Sequence, residues 1–249
     1  MLCDVVFVYL ICSFRNYIVK ITLGNGKNGG FTMLQITIRE PWSAFTHFIG
    51  MMLSIIAAVP LLIKAGLSGT GMIFWSCGIF ISSMILLYGA STLYHSISIG
   101  GRLERICKKM DHMMIFVLIA GSYTPVCVIA LGENLGYPLL ALVWSVAIVG
   151  MVIKGFWVYC PKWFSSILYI AMGWLCVLVF RPLMETLPAA AFGWLFAGGV
   201  IYTIGGIIYA LKLPLFNQLH KNFGSHEIFH LFVLAGSICH FIFVFRYLA

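Results

Sequence analysis

The sequence predicts an all-α membrane protein: a bundle of seven transmembrane helices, with the N-terminus cytoplasmic and the C-terminus outside. Three observations predict it. The 249 residues are 62% hydrophobic and only 9% charged, with a mean hydropathy of +1.04, more apolar sequence than a soluble domain carries. Seven apolar runs each approach the roughly 20 residues that a bilayer requires. Lysine and arginine gather in alternate connections between those runs. The spans are helical because lipid offers no partner to an open backbone N–H or C=O.

The runs cover Trp42–Ile63, Met72–His95, Asp111–Leu131, Tyr137–Val158, Phe164–Phe180, Ala191–Leu211 and His226–Tyr247. Pro60 and Pro125 fall inside spans and are expected to kink them. Gly198, Gly199, Gly205 and Gly206 should let the sixth helix approach a neighbour closely. Trp42, Trp75, Trp157, Trp163 and Trp194 stand near span ends, as an aromatic belt would.

Residues 42–249 form the helical domain, and residues 1–41 precede it. Within residues 1–32, Met1–Phe14 is apolar but too short to span. Gly24–Gly30 reads as a Gly/Asn/Lys linker. No basic region precedes the apolar run and no small-residue cleavage site follows it, which argues against a signal peptide. The expectation is a start assigned upstream of the real one, at Met33. Gly29-Gly30 just before it can be encoded by a purine-rich ribosome-binding site.

Arg15, Lys20, Lys27 and Arg39 precede the first span. Arg102, Arg105, Lys108 and Lys109 lie between the second and third, Lys154 and Lys162 between the fourth and fifth, and Lys212 and Lys221 between the sixth and seventh. Only Lys64, Arg181 and Arg246 fall on the other side. The basic side is cytoplasmic. The net charge of +8 therefore reads as basic loops facing anionic lipid in a multi-pass plasma membrane protein, the inner membrane of a bacterium, and not as a nucleic-acid surface. The eight cysteines show no CxxC and read as small packing residues.

The seventh run opens Ser225-His226-Glu227-Ile228-Phe229-His230. His226 and His230 are four apart, so one helical face carries both imidazoles, and such a pair can hold zinc. An ionisable group inside a span is a functional hypothesis by default. The same residues match the short H-E-x-x-H pattern, in which Glu227 is either a general base or an acid placed at a helix N-terminus by the dipole.

Seven alternating spans bring His47, His95, Asp111, His112, His226 and His230 to the cytoplasmic side. His95 is the natural third ligand, with Ser91 one turn earlier on the same face. Three histidines and one open position form a catalytic type of zinc site. Asp111 reads as a base toward water there, as a partner that fixes a histidine tautomer, or as a first-turn acid of the third helix. Ser91 also reads as a packing hydroxyl, His112 as an interfacial residue and His47 as a brace from the first helix. His240 lies ten residues past His230, roughly 15 Å along the helix, too far for the same metal.

The segments Glu40-Pro41-Trp42-Ser43-Ala44-Phe45-Thr46-His47, Ser91-Thr92-Leu93-Tyr94-His95-Ser96, Asp111-His112-Met113-Met114-Ile115-Phe116, Ala120-Gly121-Ser122-Tyr123-Thr124-Pro125 and Ser225–His230 resemble the hemolysin III family. That family is the bacterial branch of the progestin and adipoQ receptor (PAQR) family, related to alkaline ceramidases. The likeness runs from about Met33 to Ala249. It implies zinc held by His95, His226 and His230, with Asp111 contacting water at the open position and Ser91 lining the site. It implies the same inward N-terminus. It also implies that Glu227 is not a base, since relatives need no acid there.

The leading functional expectation is a zinc-dependent hydrolase acting on a lipid amide or ester. Asp111 would take the proton from water, and zinc with Ser91 would stabilise the oxyanion. The alternatives are a pore-forming cytolysin or channel, which the family name implies, and a receptor-like protein with a structural zinc. No ring of like charges or polar stripe favours a pore.

Overall fold

The computed structural model describes residues 8–9, 18–24, 31–98, 100–211 and 223–249. The helices are α1 (Pro41–Leu67), α2 (Gly71–Ser96), α3 (Gly101–Pro125), α4 (Gly132–Phe156), α5 (Lys162–Gly173), α6 (Phe180–Thr186), α7 (Ala189–Leu211) and α8 (Ser225–Phe243). An antiparallel sheet of Val8–Tyr9, Ile18–Gly24 and Phe31–Thr37 precedes them, with Thr22 opposite Met33. The all-α expectation thus holds for the helical domain and not for the segment before it. Residues 25–30, on which most of the linker expectation falls, lie outside the described residues.

Among the described residues, six continuous helical stretches are long and apolar enough to cross a membrane, and one of them is Gly101–Phe156, 56 residues long. The sequence suggests a loop between its two halves. Instead α3 passes into α4 through a π-helical segment, Val126–Leu131. Pro125 offers no N–H to the turn before it, and a widened turn absorbs that mismatch without ending the helix. Gly132 then takes a φ of 66°, a left-handed conformation that favours glycine. The run folds back on itself. Trp144 Nε1 donates to Thr124 Oγ1 at 3.3 Å, and Gly150 packs on the Phe116 ring. A straight helix would hold residues 116 and 150 about 50 Å apart.

The N-terminal end of α3 also differs from expectation. The third run was expected to open at Asp111, but the helix begins at Gly101, so Arg102, Arg105, Lys108 and Lys109 ride on helix and not loop. The fourth stretch, Lys162–Thr186, is interrupted after Gly173 by a 3-10 segment, Trp174–Val179, before α6 resumes. Lys154, expected in a cytoplasmic connection, is fully buried, with Nζ donating to Ser165 Oγ and Cys160 Sγ.

Burial follows membrane logic. Phe156, Trp75, Ile56 and Leu178 are among the many exposed large apolar residues, as lipid-facing side chains should be. Lipid tails are as apolar as these side chains, so helix association relies on close packing and interhelical hydrogen bonds. At Gly205 of α7 a Cβ would come within 2.6 Å of Phe232 Cβ on α8, so glycine is what lets these helices touch there. Tyr88 of α2 donates to Ser237 of α8, which also bonds Tyr202 of α7. Helices α1 and α8 run in the same direction. Ser43 meets Glu227 at one end, and Lys64 Nζ meets the Phe245 carbonyl at the other.

Candidate metal centre

Four helices deliver the site. The start of α1 brings Ser43 and His47, the end of α2 brings Ser91 and His95, α3 brings Asp111 and His112, and the start of α8 brings His226, Glu227 and His230. The α1 start is tied to the α2 end by the Glu40 N–H, which donates to the His95 carbonyl at 3.1 Å. The α8 start is held by Glu227. Its Oε2 accepts the Gly224 N–H at 2.8 Å, and its Oε1 accepts Ser43 Oγ at 3.1 Å. Glu227 therefore acts as a helix-capping acid, satisfying an end that would otherwise be open. Its use as a general base has no geometric support here.

His95, His226 and His230 each offer one ring nitrogen, and these three atoms lie within 4.8 Å of one another. His95 and His230 are buried, and His226 is partly so. His95 Nε2, His226 Nδ1 and His230 Nδ1 have no hydrogen-bond partner among the described residues. Buried polar atoms are almost always paired. A convergent set of orphan imidazole nitrogens is what a metal cation would satisfy, and borderline-soft zinc suits such donors. The residues therefore fit the ion that the sequence suggests.

Glu40 belongs to this cluster, although the sequence offered it only as the first residue of a motif. Its Oε2 lies 2.7 Å from His95 Nδ1 and 3.4 Å from His226 Nε2. Burial pushes the Glu40 carboxyl up, but contact with His95 and the nearby Arg39 outweigh it and hold the group below its ordinary value. A carboxylate against a ligating imidazole fixes its orientation and raises its basicity. The Glu-Pro pair at a helix start was the available signal; its distance in sequence from His95 and His226 concealed its use.

His47 also joins the site. Its ring stacks on His230 with centroids 3.7 Å apart, and neither of its nitrogens has a partner. Asp111 is buried, ten residues into α3, which removes its reading as a first-turn acid. Its Oδ2 stands 3.4 Å from His112 Nδ1. Ser91 is buried with Oγ unpartnered, and it lines the same cavity as Asp111, His226 and His230. The His112 carbonyl accepts Tyr169 OH at 3.0 Å, which fixes α5 against α3. His240 stacks on Tyr202, away from the three histidines along α8, as its spacing requires.

Two cavities meet at the histidines. One, of about 170 Å³, runs into the bundle and is lined beyond Ser91 and Asp111 by Leu118, Leu139, Phe180, Leu183 and Phe192. The other, of about 740 Å³, is a polar vestibule containing Arg39, Glu40, Lys108 and Lys162. His112, Tyr209 and His226 line both. The polar cluster thus stands between an apolar slot and a charged opening.

The profile of the haemolysin-III related family matches residues 35–241. The chain is 40% identical over 216 residues to "Hemolysin-3" of Bacillus cereus, covering 86% of this chain and 94% of that protein. It is 42% identical over 212 residues to a "Hemolysin-3 homolog" of Bacillus subtilis, covering 85% and 95%. Similarity also extends to an "Adiponectin receptor protein" of Drosophila melanogaster, at 26% identity over 181 residues, 66% of this chain and 40% of that one.

Proposed function

The chain belongs to the haemolysin-III related family and is a multi-pass protein of the bacterial plasma membrane, and on that footing we propose that it is a zinc-dependent hydrolase of a lipid amide or ester. The observation that carries the reading is the position of three mutually close histidines where a polar vestibule meets an apolar cavity. The folded-back Gly101–Phe156 run supports counting seven crossings. Seven crossings with basic vestibule residues support an inward N-terminus, an outward C-terminus and a site near the inner leaflet.

In this reading His95, His226 and His230 hold the metal. Zinc, when bound there, would supply Lewis acidity. Glu40 keeps the His95 ring in place, and His47 packs over His230. Asp111 accepts the proton of the attacking water. The Ser91 hydroxyl, which has no other partner, donates to the developing oxyanion. The acyl chain lies in the apolar cavity, out of water.

The test is fatty-acid release from amide- and ester-linked lipids in proteoliposomes. Asp111→Asn should lower turnover by about 10²-fold or more with metal content unchanged. Loss of metal along with Asp111 would favour a closed, structural site and a receptor-like role. The pore reading draws on the name of the Bacillus proteins. The large apolar residues lining the inner cavity argue against a single-chain channel. Leakage of liposomes without lipid hydrolysis would revive it.

A further inference from the structure

The last turn of α4, the link after it and the first turn of α5 build a polar cluster that the metal centre does not use. Lys154 of α4 is fully buried. A lysine near a span end ordinarily extends its stem to reach water. This one turns inward, and Nζ donates to Cys160 Sγ at 3.0 Å and to Ser165 Oγ. Cys160 Sγ and Ser165 Oγ are themselves 3.2 Å apart. The Cys160 N–H donates to the Trp157 carbonyl, and the Ser165 N–H to the Pro161 carbonyl. The chain reversal and the α5 start therefore hold an amine, a thiol and a hydroxyl in mutual contact.

A buried ammonium needs a counter-charge. Among the described residues no carboxylate pairs with Lys154, and the ionisable group that accepts from it is the Cys160 thiol. The two groups share a proton. With that proton on nitrogen the sulfur is a thiolate, which is the nucleophilic form. Cys160 and Ser165 both line the polar vestibule, and Cys160 is 8% exposed. The opening admits a small water-borne reactant to the sulfur. Cys77 and Cys127 sit instead in the apolar core.

We propose that Cys160 is a peroxide-reactive thiol, with Lys154 as its proton carrier and Ser165 as the hydroxyl that holds the peroxide. Cleavage of an O–O bond needs a proton for the departing oxygen, and this cluster keeps one beside the sulfur. Attack on a carbon electrophile would leave it unused. The S–H proton passes to Nζ. Sγ bonds to the nearer peroxide oxygen as the O–O bond breaks, so the sulfur gives up two electrons and the peroxide takes them. Nζ returns the proton to the departing oxygen. The products are a Cys160 sulfenic acid, a neutral Lys154 amine and, from hydrogen peroxide, water. No metal takes part, so the reaction stands or falls apart from the hydrolase reading.

The test is treatment of the full-length protein in neutral detergent with hydrogen peroxide and dimedone, which traps sulfenic acid. The adduct at each cysteine is read by peptide mass spectrometry. Cys160 should acquire it at least about tenfold faster than Cys176, although Cys176 is the less buried of the two. In Lys154→Met the thiol keeps its proton, and the Cys160 reaction should slow at least about tenfold with Cys176 unchanged. Labelling of Cys77 and Cys127 would report unfolding of that variant, and Lys154→Gln then takes its place. No adduct at Cys160, a rate no higher than that of Cys176, or a rate that survives loss of the Lys154 amine would overturn the proposal. A Cys160 rate kept in Ser165→Ala would overturn the role of the hydroxyl alone.

Discussion

Replacing Glu40 with glutamine removes one charge and almost no volume. The backbone N–H bond from residue 40 to the His95 carbonyl survives, because it involves no side chain. What changes is the carboxylate, 2.7 Å from His95 Nδ1 and 3.4 Å from His226 Nε2. Its carboxyl is held below the ordinary range, so at neutral pH it is ionised and faces two of the three ring systems. Loss of such a partner typically weakens a metal site 10- to 100-fold, which is about 1.4–2.7 kcal/mol. The assay is competition with a chelator of known zinc affinity at fixed pH. Glu227→Gln is the control, because Glu227 is spent on Gly224 and Ser43. It should cost about 0.5–2 kcal/mol of stability as a weakened cap and leave zinc affinity within about twofold. If Glu40→Gln binds zinc as tightly as the parent, or Glu227→Gln loses more, the carboxylate has been given the wrong role.

Other perturbations test the packing. Gly205→Ala drives a Cβ into Phe232 and should destabilise by about 1–3 kcal/mol, whereas Gly199→Ala, with nothing within 4 Å of the added carbon, should melt like the parent. Lys154→Met should be neutral or stabilising in thermal melts, because an apolar side chain of similar length replaces a buried cation that has no carboxylate partner among the described residues. Ser165→Ala with Lys154 kept should cost about 1–3 kcal/mol, since it removes a hydroxyl that accepts from Nζ.

Hydropathy and the i, i+4 spacing of His226 and His230 were legible in the sequence because both follow from local periodicity. Alternation of spans then brought His95 to the same end of the bundle, and the structure brings the three together. Non-local features were hidden. Residues 132–136 read as a loop between two spans, but the helix runs on through them after a π-helical turn. Lys154 read as a headgroup-facing cation because its buried partners, Cys160 and Ser165, follow it beyond a chain reversal. Asp111 looked like a helix start because apolar residues begin there, although a basic, more polar stretch of α3 extends back to Gly101. Glu40 stood out only as the first residue of a motif and His47 as a brace from the first helix, and the packing of α1 against α2 and α8 shows what they touch.

Binding of a metal by the three histidines is tested by elemental analysis of the full-length protein, purified in detergent without a histidine tag, beside the His226→Ala/His230→Ala variant. The parent should hold about one zinc per chain and the variant none. No metal in the parent, or equal metal in both, would contradict it and leave the histidines as packing residues of the bundle.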